Sequence, residues 1–215
     1  MAVAERRQKR ACPHDPPYEF VFSLLFDTAT EALQVLPTHR LIRGGAAGEA
    51  LLAAAGRLFR VERLDTPAGL LAAFGPGAPA ADPNASRTGQ RIGLFTGGLA
   101  AILRPDHAAL APLLDANASE TLRWLPVNVL AATLERMTGL DAAALAAAGR
   151  LDYTKDAGAA IAAVDAGTAE AAFLLDPISA ATVRQVAEAG ELMPQKSTYF
   201  WPKAPTGLLF SPGEW

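Results

Sequence analysis

Two short segments of the sequence place cationic, hydroxyl and amide side chains directly beside apolar runs. Residues 36–40 read Leu-Pro-Thr-His-Arg after a short apolar stretch, and residues 195–199 read Gln-Lys-Ser-Thr-Tyr before an aromatic one. Lysine and arginine together with hydroxyl groups suit a phosphate or a carboxylate. The candidate ligand-binding residues are therefore Thr38, His39, Arg40, Gln195, Lys196, Ser197, Thr198 and Tyr199.

The same two segments have a second interpretation, in which their polar groups satisfy the buried backbone of a loop. If they bind a ligand, both should lie at strand ends, where sheet folds place their sites. We therefore expect residues 36–40 and 195–199 to meet in space. A shared cleft would let Arg40 and Lys196 hold one small anionic ligand, with Thr38 and Ser197 as hydrogen-bond donors to it.

No other pattern supports catalysis or metal binding. The three histidines, His14, His39 and His107, are far apart, and the spacings typical of zinc sites are missing. A glycine-rich turn at 44–48 opens a helix and could hold a phosphate. It lacks the Gly-Lys-Ser/Thr ending of a P-loop, and Glu49 opposes an anion there, so a flexible turn is favoured. We predict no catalytic residue, no metal and no cofactor.

Composition limits the partners of the chain. Its 215 residues are 51% hydrophobic and 19% charged, which indicates a globular protein. A net charge of -3 with both signs dispersed disfavours nucleic acid. Every long apolar stretch is interrupted by a charge, Pro or Gly, so no membrane span is expected. Cys12 is the only cysteine and no signal peptide is recognisable, which favours the cytoplasm.

The order of apolar and turn-forming residues predicts an α+β fold with a mixed sheet. Residues 91–95 and 99–103 flank Thr96-Gly97-Gly98, which predicts an antiparallel hairpin. The last third alternates strand and helix, as is typical of β-α-β-α-β crossover units on a partly parallel sheet. Its strands are expected at 151–153, 171–175 and 198–201, and its helices at 156–164 and 178–189. Further strands are expected at 18–26, 33–36, 59–64 and 208–210, and helices at 48–59, 66–74, 105–114, 127–137 and 141–148.

One internal boundary is suggested by the sequence. Residues 75–87 are rich in Gly, Pro and Ala, so we predict a surface loop there that divides sub-domains. Residues 1–16 are interpreted as a tail, or as the end of a helix that belongs to a missing half. Residues 17–215 are expected to form a single α+β domain.

Three motifs together resemble the bacterial and archaeal family catalogued as domain of unknown function 1015. They are Leu-Pro-Thr-His-Arg-Leu-Ile at 36–42, Ala-Ala-Phe-Leu-Leu-Asp-Pro at 171–177 and Gly-Glu-Leu-Met-Pro-Gln-Lys-Ser-Thr-Tyr-Phe-Trp-Pro-Lys at 190–203. Their order and spacing resemble the C-terminal half of that family over essentially the whole chain.

What this resemblance implies is a truncated homologue, a split product or a start codon that has been placed late. The first half of such proteins resembles the fold of partition-protein-B-like proteins, sulfiredoxin and free-serine kinases, and ends in Asp-Gly-His-His-Arg. The present sequence contains no His-His pair. The implied function is a non-catalytic half that supports a ligand site shared with a missing or separately encoded N-terminal half. The alternative is part of a small-molecule, serine-type kinase, and in either case we expect no activity from this chain alone.

Overall fold

Eight strands form two antiparallel sheets in the described part of the chain. The computed structural model describes residues 34–78, 90–140 and 142–203. The larger sheet has six strands in the order β3-β5-β4-β7-β2-β6, and the smaller one pairs β1 with β8. The strands are β1 (Gln34–Leu36), β2 (His39–Ile42), β3 (Phe59–Leu64), β4 (Ile92–Thr96), β5 (Leu99–Pro105), β6 (Leu151–Thr154), β7 (Ala171–Leu175) and β8 (Tyr199–Trp201).

Helices cover both faces of the larger sheet, so the predicted α+β class is confirmed. They are α1 (Gly48–Ala55), α2 (Pro67–Phe74), α3 (His107–Leu110), α4 (Glu120–Arg123), α5 (Pro126–Thr138), α6 (Ala142–Ala147), α7 (Ala157–Asp165) and α8 (Ala180–Glu188), with a 3-10 turn at Ala111–Leu113. No described helix has the length and apolar character needed to cross a membrane. A cytoplasmic location stays a prediction from the sequence.

The predicted hairpin is confirmed as β4 and β5. The two strands pair antiparallel from Ile92 opposite Leu103 to Thr96 opposite Leu99. Gly97 and Gly98, which connect them, have φ values of 55° and 77°. The two-residue hairpin turn that matches the twist of the strands requires a positive φ at both central residues. Glycine adopts a positive φ without a steric cost.

The predicted parallel pairing is wrong for the described strands, because another strand separates the two that should have paired. The β6–α7–β7 crossover exists, and Asp156 caps α7 by accepting hydrogen bonds from the N–H groups of Gly158 and Ala159. However, β2 lies between β6 and β7 and is antiparallel to both. The unit is therefore a split β-α-β, whose parallel strands are not neighbours. The next crossover, through α8, leads to β8 in the smaller sheet.

The larger sheet separates two hydrophobic cores, as the alternation of side chains along a strand requires. Ala171, Phe173 and Leu175 of β7 belong to the core that α1 and α5 cover. Ala172 and Leu174 belong to the other core, which α2 and α7 cover. Because β7 is buried on both faces, it reads as a continuous apolar run.

Other predictions differ from the structure in detail or fall outside it. The expected helix at 105–114 begins only at His107, because Asp106 caps it by accepting from the N–H groups of Ala108 and Ala109. Pro112, which has no N–H to donate, then lies in the 3-10 turn. Residues 75–78 follow α2, but the rest of the predicted loop lies outside the described residues. So do the expected strands at 18–26 and 208–210 and the proposed tail; the domain boundaries stay predictions.

Candidate functional site

A shallow pocket opens where β2 begins and β7 ends. Its volume is about 280 Å³, including the solvent space at its mouth. Since β2 and β7 pair antiparallel, the start of one lies beside the end of the other. The smaller sheet and the first turn of α5 complete the wall. The lining residues are Leu36, Pro37, Thr38, Arg40, Pro126, Val127, Leu175, Asp176, Ile178, Lys196 and Ser197.

Arg40 is the buried cation of this pocket. It is only 7% exposed, and its guanidinium donates to the carbonyl oxygen of Thr38. Its register partner on β6 is Tyr153, and the guanidinium carbon lies 5.6 Å from the centre of that ring. Among the described residues, no carboxylate lies within ion-pair distance of Arg40. Burial accordingly lowers the pKa of the Arg40 guanidinium, and Tyr153 opposes that shift.

Lys196 brings a second positive charge to the same pocket from the turn before β8. Its φ of 61° makes it the one non-glycine residue with positive φ in the described ranges. Its ammonium lies 5.9 Å from the centre of the Tyr153 ring, so Arg40 and Lys196 approach the same aromatic side chain. Ser197 holds this turn, because its hydroxyl donates to the carbonyl oxygen of Pro194.

Asp176 is a further residue of the pocket lining, with its carboxylate on the α2 face of the sheet, opposite to Arg40. It directly follows β7, and its side chain is 7% exposed. Its two oxygens each accept a hydrogen bond of 3.0 Å from Arg91, whose guanidinium lies 4.9 Å from the centre of the Phe74 ring. Burial raises the pKa of the Asp176 carboxyl, although hydrogen bonding to Arg91 and its charge act in the opposite direction.

His39 lies on the opposite face of β2 from Arg40, since neighbouring side chains along a strand alternate. It is fully buried, and its Nδ1 accepts a hydrogen bond of 3.2 Å from the N–H of Leu175. Its Nε2 has no hydrogen-bond partner among the described residues. Burial lowers the pKa of His39 to about 4, helped by the charge of Arg40 and opposed by Asp156. The imidazole is therefore neutral near pH 7.

The structure brings the two sequence segments together but not all eight candidate residues. Thr38, Arg40, Lys196 and Ser197 line one pocket, and Leu36 pairs with Tyr199 between β1 and β8. The remaining candidates do not line the pocket: His39, Gln195, Thr198 and Tyr199. Lys155, from the turn after β6, instead places its ammonium 3.7 Å from the centre of the Tyr199 ring.

Sequence reasoning missed Asp176 and Tyr153. The sequence did contain a pattern that could have identified Asp176. It is a charged residue directly after an apolar run, just as Thr38 and Arg40 are polar residues beside an apolar run. No such pattern identifies Tyr153, because its place beside Arg40 depends on the pairing of β2 with β6. In the described part of the chain, His, Cys, Asp and Glu side chains do not gather into a group of three that could hold a metal.

The fold and the pocket together define an α+β protein whose antiparallel sheets place two cationic side chains, Arg40 and Lys196, around one opening. A family described as "Protein of unknown function (DUF1015)" matches residues 1–130, and the chain belongs to that family. The match contains Thr38 and Arg40 and ends before Asp176 and Lys196. Whether the chain corresponds to the C-terminal half of the family stays a prediction. No curated protein matches the chain by sequence.

Two solved structures are similar to the chain at low sequence identity. One is a point mutant of a free serine kinase in complex with AMP, with 11% identity and a TM-score of 0.45 over 83% of this chain. The other is a conserved hypothetical protein from Pyrococcus furiosus, with 13% identity and a TM-score of 0.47 over 85% of this chain. The chain spans 58% and 62% of the length of these two structures.

Proposed function

We propose that this chain is a ligand-supporting, non-catalytic portion of a DUF1015 protein, and that its pocket binds an oxyanion group of a small ligand. The observation that carries the proposal is the buried guanidinium of Arg40, which lies beside Lys196 with no described carboxylate in ion-pair distance. As the sequence resemblance implies, this ligand site would be shared with an N-terminal half. An oxyanion would neutralise the positive charges of Arg40 and Lys196.

The energetic argument rests on the cost of a buried, unpaired charge. Removing a guanidinium from water costs several kcal/mol unless an anion or hydrogen bonds offset it. The ring of Tyr153 and one carbonyl oxygen satisfy only part of the donor fork of Arg40. The carboxylate of Asp176 is already engaged by Arg91. An incoming oxyanion would therefore find two cations whose charge is not neutralised within the pocket.

The two hydroxyl groups differ in what they can offer to such an anion. Ser197 uses its one hydrogen on the carbonyl oxygen of Pro194, so it holds the turn that carries Lys196. The expectation that Ser197 donates to the ligand is therefore replaced by a supporting role. The hydroxyl of Thr38 makes no hydrogen bond to a described residue and lines the pocket, so it is the hydroxyl donor that the proposal assigns.

The alternative function is a part of a small-molecule kinase that acts on serine or a similar hydroxy amino acid. It rests on the sequence resemblance, because a TM-score below 0.5 to a free serine kinase does not identify a reaction. Phosphoryl transfer also depends on positioning the phosphates and stabilising their charge. We expect this chain alone to transfer no phosphate from ATP or ADP to serine, measured against a reaction without protein.

The test is calorimetric titration of the chain with inorganic phosphate and with acetate, comparing wild type with Lys196→Ala. Loss of one charge-assisted contact should weaken binding by roughly 10- to 100-fold. Arg57→Ala is the matched control, because it removes one positive charge from an exposed position after α1. It should leave the affinity unchanged. Equal losses in both variants, or no binding of either anion by wild type, would show that the pocket is not an oxyanion site.

A further inference from the structure

We infer that the backbone N–H of Val127, at the start of α5, is a further contact of this anion site, and that the ligand is a phosphate group with three free oxygens. The inference rests on the proposed function and adds the class of the ligand. Arg40 and Lys196 supply positive charge to the pocket. The start of α5 adds a donor whose direction is fixed by the backbone.

The helix α5 meets the pocket with its N-terminal end. Pro126 and Val127 line the pocket, and they are the first two residues of the helix. The N–H groups of a helix all point toward its N-terminal end, where those of the first turn have no partner inside the helix. Partial positive charge collects at the same end. Backbone donors and a favourable dipole are the features by which helices bind phosphate.

The N–H of Val127 is the donor of this first turn that has no partner among the described residues. Pro126 has no N–H to donate. The N–H groups of Asn128 and Val129 both donate to the carbonyl oxygen of Leu125, at 2.8 and 3.0 Å. Leu125, at the N-cap position, has an apolar side chain that accepts no hydrogen bond. Val127 is only 8% exposed, and a buried donor without an acceptor is costly. An oxygen of a bound anion would be its acceptor.

Arg40 gives an independent reason to place an anion in this opening. It lines the same pocket and is 7% exposed. An arginine offers five N–H donors, and among the described residues the guanidinium of Arg40 donates to the carbonyl oxygen of Thr38 alone. The buried cation belongs to β2 and the unpaired N–H to α5. A single anion in the pocket between them would satisfy both.

Donors reach the pocket from three separate elements, which favours an anion with three free oxygens. Arg40 comes from the start of β2, Lys196 from the turn before β8 and Val127 from the start of α5. The two oxygens of a carboxylate share one plane and point to one side. A phosphate group joined to one carbon chain keeps three strong acceptor oxygens. Since the pocket is open to solvent at its mouth, the rest of such an ester can extend outward.

The experiment is heteronuclear NMR of the whole chain carrying isotope-labelled valine, titrated with inorganic phosphate, ethyl phosphate and acetate. Val127→Ile retains the N–H and assigns the Val127 signal as the one that disappears. We expect phosphate to move the amide proton of Val127 more than that of Val164, which lies near the end of α7. Acetate should move it less, and should bind at least about tenfold more weakly than phosphate. Binding of ethyl phosphate as tight as that of phosphate would identify an ester as the ligand, and much weaker binding would identify free phosphate.

The variant Lys196→Ala connects the N–H of Val127 to the same anion. In this variant the Val127 shift should require roughly 10- to 100-fold more phosphate, whereas Arg57→Ala should leave the titration unchanged. Phosphate binding with an unmoved Val127 signal would overturn the inference while the anion site stands. So would a Val127 titration that Lys196→Ala leaves unchanged, because that anion would lie elsewhere. Equal affinities for phosphate and acetate would overturn the ligand class. Failure of all three anions to bind wild type would remove the proposed function itself.

Discussion

Lys196 is the position at which ligand binding and folding stability should respond in opposite directions. Its side chain lines the pocket, but its backbone has a φ of 61°, where side chains other than glycine are strained. Strain of this kind persists at functional sites when the surrounding structure imposes it. We therefore expect Lys196→Gly to abolish most anion binding without destabilising the fold. Lys196→Ala should lose the same binding but retain the strain.

The expected magnitudes follow from the geometry. Left-handed backbone costs a residue with a Cβ roughly 1–2 kcal/mol, which glycine recovers. The greater freedom of glycine in the unfolded chain costs about 0.5–1 kcal/mol. Loss of the exposed contact with Tyr153, at 5.9 Å from the ring centre, costs at most about 0.5 kcal/mol for either variant. Lys196→Gly should thus be more stable than Lys196→Ala by about 0.5–1 kcal/mol.

Urea unfolding of wild type, Lys196→Gly and Lys196→Ala measures the stability difference, and phosphate titration of the same proteins measures binding. We expect both variants to bind phosphate roughly 10- to 100-fold more weakly than wild type. If Lys196→Gly is clearly less stable than Lys196→Ala, the left-handed backbone is not a source of strain. If either variant keeps wild-type affinity, Lys196 does not contact the anion.

Three further outcomes test the packing around the site. Thr96→Val should destabilise the fold by about 2–4 kcal/mol, because the buried hydroxyl accepts from Gly48 N–H and donates to the Glu170 carbonyl, each at 2.8 Å; Thr96→Ser is the control in thermal unfolding. Gly93→Ala should cost about 1–3 kcal/mol, since a Cβ would lie 2.9 Å from a ring carbon of Phe74; unchanged stability would contradict that packing. His39 has a pKa of about 4 against 6.5, so the folded state binds fewer protons. Stability should therefore fall by up to about 3 kcal/mol as pH drops from 6.5 to 4, and His39→Gln should lack this loss in urea unfolding.

The elements that sequence predicted well are those defined by local signals. Paired glycines at 97 and 98 specify the hairpin, and Asp156 specifies the start of α7. The predicted parallel pairing of β6 with β7 was wrong. Apolar runs joined by a helix indicate parallel strands, but no local signal says that an earlier strand will insert between them. The insertion of β2 depends on long-range pairing of residues 39–42 with two distant segments.

The candidate site was predictable to the extent that its residues lie beside apolar strands. That criterion found Thr38, Arg40 and Lys196, and applied to the end of β7 it would also have found Asp176. It could not separate Arg40 from His39, because the orientation of β2 determines which of two adjacent side chains faces the pocket. It also could not find that the hydroxyl of Ser197 is used within its own turn.

Side chains along β2 point alternately to the two faces of the sheet, so the two polar residues at its start, His39 and Arg40, have different roles. His39 is neutral and accepts from Leu175 N–H, so it stabilises the pairing of β2 with β7 on one face. Arg40 is charged and faces the pocket on the other. An anion held by Arg40 and Lys196 would join the larger sheet to the turn that precedes β8. Ligand that binds only the folded state adds stability, about 2.7 kcal/mol at a concentration of 100 times Kd. The proposed site would therefore link occupancy of the pocket to the docking of the smaller sheet.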